Sequence, residues 1–128
     1  MSIARLVVLL ALACLATPVA RAETPVAQLV KDRADAAERV FQHVVTAWKT
    51  QREKIEVVYT WSVRWLDAVV DRDARTRKQA FADHLARMQD IEGEATKLQT
   101  AGTVTVLEAA AASYYRIEAE LWVARGKR

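Results

Sequence analysis

From Val30 onward, apolar and small residues recur at alternating spacings of three and four: Ala34, Ala37, Phe41, Val44 and Trp48, then Ile55, Val58, Ser62, Trp65 and Val69. This is the heptad spacing of a helix with one buried face, and only Gln51 interrupts it. Thr24 ahead of Pro25 is a helix start, because Thr24 can cap and proline at the first helical position gives up no hydrogen bond. Charge pairs Lys49/Glu53 and Arg52/Glu56 bridge the polar stretch around Gln51 at i,i+4, and Asp35/Arg39 adds a third. The pattern therefore predicts one long helix over 25–71.

The phase then changes. Phe81, His84, Met88, Ile91, Ala95 and Leu98 repeat at three and four in a register displaced by two residues from that of Val69, with no proline or glycine between Val69 and Phe81. That predicts a reversal through Arg72 to Arg75, capped by Asp73, and a second helix over 74–101. Gly102 ends it, and Thr105 with Glu108 is a capping box that opens a third helix. The stripe of the third helix is Leu107, Ala110, Tyr114, Ile117, Leu121 and Ala124, stopping before Gly126.

The expected fold is all-α: an antiparallel three-helix bundle with a long heptad-patterned first helix. Folding back at residue 73 would leave residues 25–45 beyond the bundle, with an uncovered stripe of Leu29, Val30, Ala37, Val40, Phe41 and Val44. Either that half finds a protein partner or a second copy, or the chain breaks near Gln51 and the half returns as a fourth helix. A sparse internal match at a separation of 51 residues favours two related hairpins and hence the four-helix variant: Leu66-Asp67-Ala68 against Ile117-Glu118-Ala119, and Trp48 to Gln51 against Gln99 to Gly102.

Composition changes the picture mainly at the amino terminus. Arg5, the uncharged run Leu6 to Ala16 and the Ala20-Arg21-Ala22 pattern read as a secretory signal peptide, 1–22, cleaved to leave a single domain over 23–128. The apolar run is too short for a bilayer span of about 20 residues, so no stable membrane span is expected after cleavage. The sole cysteine, Cys14, lies in that leader, which excludes disulfides and cysteine metal sites from the exported chain. Without Arg5 and Arg21 the chain carries 17 Lys+Arg against 16 Asp+Glu, a net charge of +1, which gives no argument for nucleic acid.

Candidate chemistry is thin. His84 and Met88 share a helix face at i,i+4 and are the one pair suited to a soft metal, although two ligands do not complete a site. Trp61, Arg64 and Trp65, faced by Tyr114, Tyr115 and Arg116, make a candidate ligand surface that would take a flat anion or a peptide by stacking and cation–π contact. Glu118 and Glu120, like Glu92 and Glu94, point to different faces of their helix and form no carboxylate dyad. No serine has a recognisable base partner and there is no phosphate-cradling glycine loop, so no enzymatic activity and no cofactor are expected.

The segments Trp61 to Ala68, His84 to Met88 and Tyr114 to Trp122 resemble an uncharacterised family of exported bacterial helical proteins. The resemblance spans most of residues 34–125 and implies export and a helical fold without a known activity. Ala101 to Ala109 is similar to the glycine-containing helix junction of TolC-type outer-membrane efflux proteins, which implies a periplasmic helical hairpin. The expected function is contact with proteins in the cell envelope; the alternatives are a periplasmic metal- or small-ligand-binding protein, or a hairpin related to efflux components.

Overall fold

The computed structural model describes Ala22 and residues 24–128. The signal-peptide reading, its cleavage point at Glu23 and Cys14 lie outside the described residues. The described chain is helical: α1 (Pro25–Lys49), α2 (Ile55–Arg72), a 3-10 turn (Ala74–Thr76), α3 (Arg77–Thr100) and α4 (Val106–Arg125). The helices pack against one another in a bundle-like arrangement, most extensively α1 with α2 and α3 with α4, while α2 joins the two pairs through α3.

Local chemistry sets most boundaries. The Thr24 hydroxyl accepts from the Ala27 N–H at 3.2 Å and opens α1. Asp73 accepts from the Arg75 N–H at 3.0 Å and begins the turn into α3. Thr105 and Glu108 form a reciprocal capping box at the start of α4. Gly126 ends that helix in the left-handed conformation.

The single helix expected over 25–71 is corrected: the chain breaks between Lys49 and Ile55, and four helices replace three. Gln51 sits at φ 61°, the Gln51 N–H donates to the Trp48 carbonyl (2.9 Å), and the Arg52 N–H donates to Ala47 (2.8 Å). The same bonds close α3, where Gly102 (φ 75°) donates to Gln99 and Thr103 to Leu98, each at 2.9 Å. Both are Schellman closures, one built on glycine and one on glutamine. A side chain at this φ costs about 1–2 kcal/mol. Folding back over α2 buries Ala34, Ala37, Phe41 and Trp48, and burial of a large side chain stabilises by about 1.5–3 kcal/mol. Burial wins. The charge pairs expected to carry the helix through the break are rearranged, with Lys49 reaching Glu94 (4.0 Å) and the Arg52 side chain donating to Thr50 (3.0 Å). Gln51→Gly should therefore raise stability by about 1 kcal/mol, seen as a Tm increase of about 5 °C in thermal unfolding. An unchanged or lowered Tm would mean that Gln51 is not strained.

Early residues of α1 meet late residues of α2: Arg33 pairs with Asp71 (2.7 Å), and the Phe41 and Trp65 rings lie 5.6 Å apart. One core cluster gathers Phe41, Trp48, Ile55, Val58, Met88 and Ile91 with Ala95, Ala112 and Ala119; a second joins Leu66 to Ala80, Phe81 and Trp122. The inward face of α4 is Ala112, Ala119 and Trp122, with Tyr115 half-buried beside them. The stripe expected to face inward, Leu107 to Ala124, points outward instead. The alanines allow close approach to α3, and the large Tyr115 and Trp122 rings then take the interior.

Candidate functional site

A polar group lies between the two core clusters. Ser62 of α2 and His84 of α3 are both fully buried, at 0% exposure, with Ser62 Oγ 2.8 Å from His84 Nδ1. Arg87, one turn along from His84, donates from Nε to Ser62 Oγ (2.8 Å) and from Nη2 to the Ser62 carbonyl (3.3 Å). A guanidinium can only donate, so the hydroxyl accepts from Arg87; His84 Nδ1 is the one acceptor placed for the hydroxyl's own proton, which assigns the ring proton to Nε2. Nε2 has no hydrogen-bond partner. Burial, then the charges of Arg87 and Arg128, push the imidazole down to about 3, so it is neutral.

Aromatic rings enclose the group. His84 stacks on Trp122 at 5.2 Å and 17°, and Arg128, which pairs with Asp67 at 2.7 Å, lies 5.7 Å over the other ring of that stack. The Arg87 guanidinium rests 4.1 Å from Trp65 and 5.7 Å from Phe41, and burial lowers it to about 10, so it stays charged at neutral pH. Tyr59 stacks on Tyr115 (4.1 Å, 11°) and donates its hydroxyl to Glu118. Burial first, then Glu118, raises the Tyr59 phenol above its ordinary value. The arrangement is a closed polar junction joining α2, α3 and α4, with Ser62 and His84 shut off from solvent.

The residues singled out in the sequence separate in space. His84 and Met88 are both in the core, and no group of three or more His, Cys, Asp or Glu side chains is placed to hold a metal among the described residues. The six aromatic and basic residues do not converge. Arg64 lies 4.6 Å over Trp61 beside α1, in a groove of about 420 Å³ lined by Arg33, Ala36, Val40 and Asp67. Trp65 turns to Phe41 and Arg87, Tyr115 faces inward, Tyr114 faces out, and Arg116 is held by Glu92 (2.7 Å) and Glu120 (2.8 Å). The expected interaction stripe on α1 is corrected too. Ala37 and Phe41 are buried, Val30, Val40 and Val44 are half-buried, and only Leu29, near the end of the helix, stays exposed at 66%. The fold-back of α1 over α2 has used that face.

No family model, characterised protein or solved structure matches this chain. No helix among the described residues is long and apolar enough to cross a membrane.

Beyond Val26 and Leu29 at the start of α1, the exposed large apolar side chains of the described residues lie on α4. Leu107, Tyr114, Ile117 and Leu121 are exposed at 79%, 62%, 47% and 44%, and Ala110 and Ala124 complete their seam. The periodicity identified this stripe but assigned it to the core. The signal that distinguishes it is that α4 is apolar on two faces, of which α3 can cover one.

Proposed function

We propose that the chain is an exported, non-enzymatic antiparallel bundle of two helical hairpins that works through protein contact in the cell envelope, and that its contact surface is the outer face of α4. The observation that carries the reading is the run of large apolar side chains left in water at heptad spacing on a helix whose other face is packed. Contiguous apolar surface of this kind marks a site for another protein. Tyr114 supports the same reading, since an exposed tyrosine adds apolar area and a hydrogen-bonding tip. The export half rests on the leader sequence.

A photo-reactive residue placed at Tyr114 and irradiated in living cells should give a discrete adduct recovered from the envelope fraction, with the chain beginning at Glu23. Changing Leu107 and Leu121 together to Glu should abolish the adduct while leaving helix content intact, because exposed substitutions shift stability by only about 0.5 kcal/mol. Labelling at Tyr114 no greater than at Lys31, an exposed position on α1, would overturn the contact reading. An amino terminus at Met1 would overturn export.

A further inference from the structure

The two helix pairs are built alike. α1 and α3 end at Lys49 and Thr100, and α2 and α4 begin at Ile55 and Val106, so both boundaries repeat after 51 residues, with Gln51 and Gly102 holding the same left-handed position in each turn. This equivalence puts Tyr114, Ile117 and Leu121 of α4 in the places of Val63, Leu66 and Val70 of α2. On α2 those three pack with Phe81, Ala80 and Trp122 of the second pair. Leu66 is 1% exposed where Ile117 is 47%. The outer face of α4 therefore repeats a face that the chain buries against helices of its own kind, and a third pair to cover it is missing among the described residues.

We infer that a second copy of this chain covers it, with the two α4 helices packed antiparallel about a twofold axis; the inference rests on the contact reading of α4 above. Head-to-tail stacking would require α1 of the next copy to receive α4 as α3 receives α2. The first-pair positions equivalent to Ala80, Phe81, His84 and Trp122, which receive α2, are Leu29, Val30, Arg33 and Asp71. Leu29 and Val30 are apolar, but Arg33 and Asp71 are charges paired with each other. That face cannot accept an apolar helix without stranding a guanidinium. A closed twofold pairing uses the α4 face on both sides and leaves none open. Its register is self-complementary: with Tyr114 opposite the partner's Ile117, Ala110 falls opposite the partner's Leu121 and Leu107 opposite the partner's Ala124. Large residues meet small ones at the outer levels, whereas a parallel pairing would set Leu107 on itself and Ala110 on itself.

Single-cysteine variants test this directly, in the full chain carrying Cys14→Ser so that the introduced thiol is the only one. In the antiparallel register Tyr114 and Ile117 lie near the twofold axis, while the two copies of Leu107 are about 25 Å apart along the helices. Tyr114→Cys and Ile117→Cys should form disulfide dimers under mild oxidation, and Leu107→Cys should do so only when mixed with Ala124→Cys. Sedimentation equilibrium should show a dimer whose Kd rises by about 100-fold in Ile117→Asp, with unchanged helix content, because the change enters the interface twice. Self-crosslinking of Leu107→Cys alone would overturn the antiparallel register. A monomer at about 100 μM, well above the Kd of a stable dimer, would overturn the second copy as occupant. The cellular adduct at Tyr114 then separates the two ideas: an adduct of another mass keeps the contact reading and ends this one, and no adduct ends both.

Discussion

Trp48→Ala should lower the unfolding free energy by about 4 kcal/mol in urea denaturation, the largest loss expected of any single truncation in α1. Trp48 is at 0% exposure in the last turn of α1, inside the main core cluster. Its carbonyl also receives the Gln51 N–H that closes the turn. Alanine would leave a cavity at the point where α1 is held against the rest of the chain, and a domain of this size has only about 5–15 kcal/mol in total. Trp48→Phe sharpens the test. The indole Nε1 is buried without a partner, and an unpaired buried donor costs about 1–3 kcal/mol. Phenylalanine removes that donor while keeping most of the apolar volume, so its loss should be no more than about 1 kcal/mol. Equal losses for the two variants would mean that the indole N–H finds a partner, and a small loss in Trp48→Ala would mean that α1 is not anchored at this end.

The start of α1, the turn at Asp73, the end of α3 and both ends of α4 were legible in the sequence because their chemistry is local, although α3 itself begins at Arg77 rather than at 74. Thr24-Pro25, Asp73, Gly102, the Thr105/Glu108 box and Gly126 each act within a few residues of where they stand, and each does so in the structure. The break at Gln51 was not legible in that way, since a glutamine at positive φ leaves no mark on composition. Its traces are the interruption of the apolar stripe at Gln51, the otherwise uncovered stripe of α1 and the distant alignment with Gly102. Helical periodicity also pointed the wrong face of α4 inward. The stripe Leu107 to Ala124 and the face Ala112, Tyr115, Ala119 and Trp122 both satisfy spacings of three and four, and the choice between them is made by contacts with α2 and α3 far away in sequence. Ser62 carried a readable hint. A serine within an apolar stripe must find a hydrogen bond when buried, and its partners proved to be His84 and Arg87.

Stability should fall as the solution is acidified from pH 7.5 to 5, by about 2 kcal/mol, through His84 alone. In the unfolded chain its imidazole has the ordinary value near 6.5, whereas in the fold it lies at about 3, held there by burial and then by Arg87 and Arg128. Between those values the unfolded chain binds a proton that the folded chain refuses. Stability therefore rises with pH across the window from about 3 to 6.5, is fully present above it, and is lost going down through it at up to about 1.4 kcal/mol per pH unit. Of its neighbours, Arg87 stays charged with its value at about 10, and the Tyr59 phenol is raised away from this interval. Urea unfolding from pH 7.5 to 5 keeps clear of most carboxylate titration, whose ordinary values are near 4. His84→Gln, which retains an acceptor for the Ser62 hydroxyl, should be less stable at pH 7.5 yet show a much flatter dependence on pH. If the wild-type chain is flat over this range, or if His84→Gln keeps the full slope, the imidazole is not held neutral in the core. The closed junction of Ser62, His84 and Arg87 would then have to admit water to the ring.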